Sequence, residues 1–193
     1  MNTKTIDVKN IYYPPGGILM WIIIFLELFT FGMALIAMVY YGKLEASVFH
    51  DSRMLLNSTY GTINTIILLT SGFFMVVSLQ ALKANNKKKS QSYLLLTMLF
   101  GFLFLILKAV EYNAKLTLGI GLGFNTFFTF YWMLTLFHVI HVIVGLIILG
   151  SIYLGLKKEK STTTIEDVEA SAAFWHMCDL IWLLLFPIIY LLF

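Results

Sequence analysis

Five ionisable side chains lie inside long apolar runs of this sequence, where a charge is costly. Glu27 stands in the first run, His138 and His141 lie three residues apart in a later one, and His176 and Asp179 repeat that spacing near the C-terminus. Ionisable groups buried in a membrane are expensive and mark functional sites by default. We therefore expect all five to face other helices or a partner chain rather than lipid.

Two kinds of chemistry fit these residue types. Residues three apart share a helix face, so His138 and His141 could hold a metal ion, and His138 with His176 could ligate a heme from facing helices. The simpler interpretation is a hydrogen-bonded network, because His-Asp and His-Glu pairs satisfy buried polar groups at low cost. The sequence favours this network, or a proton-handling group beside a redox enzyme, and we assign no catalytic residue and no metal ligand.

The elements that must position these residues are membrane-spanning helices. Of the 193 residues, 60% are hydrophobic and only 12% are charged. A helix needs about 20 apolar residues to cross the hydrocarbon. Five segments qualify, at about 18–41, 63–82, 93–112, 126–156 and 170–193, after a tail at 1–17. The sequence predicts an all-α polytopic membrane protein with a single five-helix transmembrane bundle.

The distribution of Lys and Arg predicts how the bundle is oriented, since basic residues accumulate on the cytoplasmic side. The tail and the second and fourth loops hold nine basic residues: Lys4, Lys9, Lys83, Lys87, Lys88, Lys89, Lys157, Lys158 and Lys160. The opposite side holds four: Lys43, Arg53, Lys108 and Lys115. We expect a cytoplasmic N-terminus and a periplasmic C-terminus. The net charge of +3 is too small to indicate a nucleic-acid partner.

Small and hydrogen-bonding residues within the spans indicate close helix packing. The second span contains Asn64, Thr65, Ser71 and Gly72, and the fourth contains Gly145. We expect these five to lie where helices approach one another.

Two expectations concern the ends of helices. Lys108 and Lys115 lie near the end of the third span, where we expect them to extend toward the membrane surface and to pair with Glu111. Thr163 with Glu166 three residues later fits a capping box, which predicts that the last helix begins there.

Taken in order along the chain, the polar landmarks resemble subunit III of cytochrome oxidases, the heme-copper oxidase subunit III family. The resemblance covers nearly the whole chain from Leu19 onward. It rests on residues 21–32 with Glu27, on Asn64-Thr65 followed by Ser71-Gly72, on Glu111-Tyr112, on Phe137-His138-Val-Ile-His141-Val142 with Gly145, and on Trp175-His176-Met-Cys-Asp179-Leu-Ile-Trp182. The chain lacks the first two of the family's seven helices. With Phe186-Pro187 and Ala114-Lys115 it is especially similar to the subunit-III-like protein associated with nitric oxide reductases.

The resemblance implies an accessory subunit without heme or copper of its own, in the bacterial inner membrane. Such a subunit would pack against catalytic subunit I of a terminal oxidase and support its stability and proton uptake in aerobic electron transport. The heme, with copper or iron, would lie in that partner. A bound phospholipid is compatible with the family's lipid cleft, but that cleft would lose part of its wall here, so no lipid-binding residue is assigned.

Three alternatives remain open at this point. The chain could be the accessory subunit of a nitric oxide reductase, or a small heme- or metal-binding membrane protein using its histidines. A transporter built on Glu27 and Asp179 is the third. Transporter folds usually show internal repeats or broken helices, and the sequence has neither.

Overall fold

The computed structural model describes residues 16–158 and 163–193, and within them the chain forms helices and no strand. The helices are α1 (Ile18–Leu44), α2 (Ala46–Met54), α3 (Ser58–Lys83), α4 (Lys87–Thr117), α5 (Thr126–Lys157) and α6 (Ile165–Tyr190). All except α2 are long and apolar enough to cross a membrane. The predicted all-α, five-span membrane fold is confirmed. Lys4, Lys9 and Lys160, which enter the orientation argument, lie outside the described residues, and the orientation stays a prediction.

Three of the long helices begin at an asparagine. Asn57 accepts a hydrogen bond from the Thr59 amide at the start of α3. Asn86 and Asn125 do the same for amides in the first turns of α4 and α5. A side-chain oxygen at this position satisfies an amide that has no partner within the helix. The turn between α3 and α4 also uses Asn85, which has a φ of 58°, a left-handed conformation that asparagine tolerates.

The start of α6 corrects one expectation. A capping box is present, but it joins Thr164 to Asp167 rather than Thr163 to Glu166. The Asp167 amide donates to Thr164 Oγ1 at 3.2 Å, and the Thr164 amide donates to Asp167 Oδ2 at 2.8 Å. Thr163 with Glu166 and Thr164 with Asp167 both have the required spacing of three residues. The structure forms the capping box with Thr164 and Asp167.

Replacing Thr164 with alanine should lower the free energy of unfolding by about 1 kcal/mol, the usual cost of losing such a cap. Thr164→Ser keeps the hydroxyl and should restore most of that loss. Chemical unfolding in detergent micelles measures both variants. Equal stability of Thr164→Ala and the parent chain would contradict the observed capping frame.

Helix α6 lies at the centre of the bundle and packs against α1, α3 and α5. Helices α3 and α4 form a tight antiparallel pair, held by two buried hydroxyls that donate across the interface. Ser71 Oγ donates to the Thr97 carbonyl at 2.8 Å, and Ser78 Oγ donates to the Ser90 carbonyl at 2.8 Å. Helix α1 packs at the edge, on α5 and α6. The polar residues of α6 therefore lie close to α1, α3 and α5.

The short helix α2 was not predicted and closes one end of the bundle. Phe49 is fully buried and packs against the rings of Phe127 and Phe193 at 5.4 and 5.0 Å. Arg53 Nε donates to the Tyr190 carbonyl at 3.1 Å. These contacts tie the connection between α1 and α3 to the last turn of α6.

The outer surface of the long helices is apolar. Large aliphatic and aromatic side chains on every spanning helix are exposed, among them Leu19, Phe29, Ile66, Leu99, Ile147 and Leu183. Contiguous apolar exposure of this extent is unfavourable in water. It suits the hydrocarbon of a bilayer, in agreement with a multi-pass membrane protein.

Candidate functional site

Glu27 of α1 and His141 of α5 form a pair across the α1–α5 interface. Glu27 Oε2 lies 3.2 Å from His141 Nε2, and the two side chains are 20% and 12% exposed. Phe31 and Phe137 pack against the imidazole with ring centroids 5.7 and 4.6 Å away. The pair is therefore enclosed by aromatic rings on the protein side and reachable from the surface.

The contact made by Nδ1 of His141 determines which ring nitrogen carries a hydrogen. Nδ1 is 2.7 Å from the Phe137 carbonyl, and because a carbonyl oxygen only accepts, Nδ1 carries a hydrogen. If the imidazole is neutral, Nε2 has no hydrogen and Glu27 must be protonated to bond it. If the imidazole is charged, Glu27 is a carboxylate. In both states one proton lies between Nε2 and the carboxyl oxygen.

His138 does not share the environment of His141, although both were expected on one helix face. His138 is fully buried, stacked on Trp182 with ring centroids 5.3 Å apart and against the edge of Phe104. Neither ring nitrogen has a hydrogen-bond partner in the described part of the chain. The structure brings neither His141 nor His176 against this ring. Among residues 16–158 and 163–193, no group of three or more His, Cys, Asp or Glu side chains could hold a metal ion.

His176 and Asp179 form the second ionisable pair, on the side of α6 that faces α3. His176 Nδ1 lies 3.2 Å from Asp179 Oδ2. Gly72 of α3 lets the carboxylate lie close to this helix, since an added Cβ would meet Asp179 Oδ2. Asp179 Oδ1 is buried and has no hydrogen-bond partner in the described residues, and His176 is 39% exposed.

Four of the predicted helix-packing residues lie against α6: Thr65, Ser71, Gly72 and Gly145. Trp182 Nε1 donates to Thr65 Oγ1 at 2.9 Å, and Trp175 Nε1 donates to Ser71 Oγ at 3.1 Å. Gly145 packs so closely on Trp175 that an added Cβ would lie 2.9 Å from the ring. Asn64, Ser71 and Gly72 are buried and Thr65 is partly buried. Neither amide atom of Asn64 has a partner among the described residues.

Sequence reasoning expected Lys108 to pair with Glu111 but missed that this ion pair is buried. Lys108 Nζ donates to Glu111 Oε2 at 2.9 Å and to Tyr190 Oη at 3.2 Å. Tyr131 and Tyr190 donate to Glu111 Oε1 at 3.0 and 2.6 Å. The ammonium also lies 5.3 Å from the centre of the Trp182 ring, within the range of a cation–π contact. This Lys108 cluster (Lys108, Glu111, Tyr131 and Tyr190) joins α4, α5 and α6.

The expectation that Lys108 and Lys115 extend to the membrane surface is wrong. Lys108 is 1% exposed and Glu111 is 3% exposed. Lys115 is also buried, and its Nζ donates to the Leu55 carbonyl. In the structure, the periodicity of α4 accounts for this burial. The buried positions of α4 recur at alternating spacings of three and four, and that stripe runs on through the charged residues: Leu94, Thr97, Gly101, Phe104, Lys108, Glu111 and Lys115.

The known proteins reported below match between 67% and 96% of the chain. The family profile for cytochrome c oxidase subunit III matches residues 17–192. A heme-copper oxidase subunit I+III of Aeropyrum pernix is 29% identical, over 96% of this chain and 25% of that protein. A cytochrome c oxidase subunit 3 of Synechocystis sp. is 33% identical, over 67% of this chain and 55% of its own length. A cytochrome bo(3) ubiquinol oxidase subunit 3 of Buchnera aphidicola is 29% identical, over 72% and 69%.

The chain spans about a quarter of the Aeropyrum protein and about half of the Synechocystis protein. The profile match nevertheless contains every residue of the three polar groups described above. By sequence, this chain belongs to the cytochrome c oxidase subunit III family.

Proposed function

We propose that this chain is an accessory subunit of a heme-copper terminal oxidase, that it packs against catalytic subunit I, and that it supports the stability and proton uptake of that subunit. The match of the subunit III family profile to residues 17–192 carries this proposal. The Aeropyrum pernix protein supports the partner, because subunits I and III are named together in one chain there. The heme, with copper or iron, would lie in the partner. The location would be a bacterial inner membrane, with the N-terminus in the cytoplasm.

The Glu27–His141 pair is the part of the chain best suited to a proton-related role. It holds one proton between two side chains in either of its charge states, and it remains partly exposed. Burial in hydrocarbon makes such a group costly, so its presence inside α1, nine residues after the start of the helix, favours a function over packing alone. His138 has no hydrogen-bond partner among the described residues, and the His176–Asp179 pair lies on the side of α6 that faces α3. We assign His138 to the polar interior, and His176 and Asp179 to the contact between α3 and α6.

The proposed subunit would also bind a phospholipid. A groove of about 490 Å³ lies between α1 and α5, lined by Thr30, Ala34, Phe130, Met133 and neighbouring residues. Its walls are almost entirely apolar, which suits an acyl chain rather than a headgroup. Such a chain would cover the outer side of the α1–α5 interface that holds Glu27.

The oxidase is favoured over a nitric oxide reductase because the relatives reported above are named as oxidase subunits. The two assignments predict different substrates for the assembled complex. Consumption of oxygen or of nitric oxide by the purified complex separates them directly.

The function is tested by comparing complexes purified with and without this chain. We expect both to consume oxygen at first, and the complex that lacks the chain to lose activity sooner over successive turnovers. Slower proton uptake in reconstituted vesicles should accompany that loss. Equal durability and equal proton uptake in the two preparations would contradict the proposed role.

Glu27→Gln should leave the fold and the yield of complex unchanged and raise the rate of inactivation during turnover severalfold. The glutamine amide can still donate to a neutral imidazole, which preserves the geometry, but it has no carboxyl proton to exchange. Activity as a function of turnover number measures the effect. The control is Glu166→Gln, at an exposed position in the first turn of α6. An inactivation rate for Glu27→Gln equal to that of this control would contradict the assignment.

A further inference from the structure

Five lysines lie together at one end of the bundle. They come from two parts of the chain that are distant in sequence, the start of α4 and the end of α5. The Lys87 ammonium donates to the Lys158 carbonyl at 3.2 Å, and this contact brings the two parts side by side. We call the set the basic patch; it consists of Lys87, Lys88, Lys89, Lys157 and Lys158.

The acidic residues at the same end of the bundle do not neutralise the basic patch. Glu169 of α6 is paired with Lys83 at 2.7 Å, and Asp167 closes the capping box of α6, which leaves Glu166. None of the five lysines of the patch forms an ion pair with a carboxylate in the described part of the chain. Four of them are exposed and one is half-buried. The patch is therefore a concentrated positive charge that an anionic partner can reach.

The depth of the basic patch matches that of lipid headgroups. Tyr93 of α4 and Tyr153 of α5 stand where the apolar stretches of these helices end, and tyrosine is common at membrane interfaces. Lys89 lies four residues before Tyr93, and Lys157 lies four residues after Tyr153, so each is about 6 Å further out along its helix. The headgroup layer on each side of a bilayer is about 5–7 Å thick. The patch therefore lies at the level of the lipid phosphates.

We propose that the basic patch binds the phosphate of an anionic phospholipid at the membrane surface. Clusters of about four to eight basic residues beside a membrane span attract anionic lipids. The general preference of lysine for one side of the membrane does not bring residues from separate connections together, whereas the contact between Lys87 and Lys158 does. This binding requires no catalytic partner, and the α1–α5 groove is lined by other residues.

The surface next to the basic patch favours a lipid over other anions. Leu95 of α4 and Leu154 of α5 are exposed on the apolar side of the patch. A phospholipid places its phosphate against the lysines and its acyl chains against these side chains, so it satisfies both parts of the surface. A free phosphate ion or an acidic protein segment meets the charge but leaves the leucines uncovered.

The first test is native mass spectrometry of the full-length tagged chain, titrated with phosphatidylglycerol and, separately, with phosphatidylcholine. We expect phosphatidylglycerol to bind about tenfold more tightly, because its headgroup has a net negative charge. Lys88→Gln should weaken that binding about fivefold, the usual effect of one lysine at a membrane surface. The matched control is Lys43→Gln, which changes an exposed lysine at the opposite end of the bundle.

Three results of this titration would overturn the proposal. The first is equal affinity for the two lipids, and the second is an equal effect of Lys88→Gln and Lys43→Gln. The third is displacement of phosphatidylglycerol by inorganic phosphate at the same concentration, which would assign the patch to a free anion.

The second test identifies what covers the basic patch in native membranes. A photoreactive amino acid is placed at Ser92, an exposed position of α4, and the crosslinked product is identified by mass spectrometry. We expect crosslinks to phospholipid, with a share of anionic lipid that falls severalfold when Lys88→Gln and Lys157→Gln are combined in the same chain. An unchanged share of anionic lipid, or a crosslink to another protein chain, would overturn the proposal.

Discussion

Replacing Glu111 with leucine is expected to lower the free energy of unfolding by about 3–5 kcal/mol, the cost of leaving a buried charge without its partner. Lys108 is fully buried, and Glu111 supplies its only carboxylate within the described residues. The substitution also removes the acceptor used by Tyr131 and Tyr190. Unfolding of the purified chain in detergent micelles measures the change.

The double variant Lys108→Leu with Glu111→Leu is the control for this prediction. A buried ion pair replaced by apolar residues of similar volume is often close to neutral, although the two tyrosine hydroxyls still lose an acceptor here. We therefore expect the double variant to be more stable than Glu111→Leu alone. A double variant that is less stable than the single one would contradict the account of the Lys108 cluster.

Trp175→Ala should also cost about 3–5 kcal/mol, because it removes a large, fully buried ring. Trp175 lies between Gly101 of α4 and Gly145 of α5, and a Cβ added at either glycine would come within 3.0 Å of the ring. Its Nε1 donates to Ser71 Oγ. One side chain of α6 therefore contacts three other helices.

Two further variants serve as comparisons for the loss of stability in Trp175→Ala. Trp175→Phe keeps part of the ring volume but loses the hydrogen bond, so its stability should fall between those of the parent chain and Trp175→Ala. Phe102→Ala removes an exposed ring, and surface substitutions usually change stability by no more than about 0.5 kcal/mol. Similar losses in Phe102→Ala and Trp175→Ala would show that Trp175 does not organise the bundle.

The long helices could be predicted from the sequence because hydropathy alone decides whether a segment enters a bilayer. Helix α2 could not be predicted in this way, since it has nine residues and three of them are ionisable: His50, Asp51 and Arg53. Its position depends on Phe49 entering a pocket formed by α5 and the C-terminal residues. Such contacts between distant parts of the chain leave no local periodic pattern.

Spacing identified the polar residues of the site but not their partners. His138 and His141 are three residues apart, yet one turns toward α4 and α6 and the other toward α1. Residues at this spacing differ by about 60° around the helix axis, enough to fall into two interfaces when a helix packs on several neighbours.

The error at Lys108 has a different cause. Lysine near the end of a span usually extends to the membrane surface, and that rule considers one helix at a time. Here Tyr131 of α5 and Tyr190 of α6 come from distant segments and surround the charge with hydroxyls and rings. Only the packed bundle brings these groups together. The spacing of the buried positions in α4 is consistent with a buried Lys108. It gives no information about Tyr131 and Tyr190, which lie on other helices.

The most direct test of the account is purification of the tagged chain from native membranes in a mild detergent, followed by a reduced-minus-oxidised heme spectrum and identification of the chains that accompany it. We predict that heme is recovered together with a larger catalytic chain, and that dissociation of the complex leaves all heme with that chain. Heme that stays with the isolated 193-residue chain would contradict the accessory role and return His138, His141 and His176 to consideration as ligands. Recovery of neither heme nor a partner would contradict the proposed function as well.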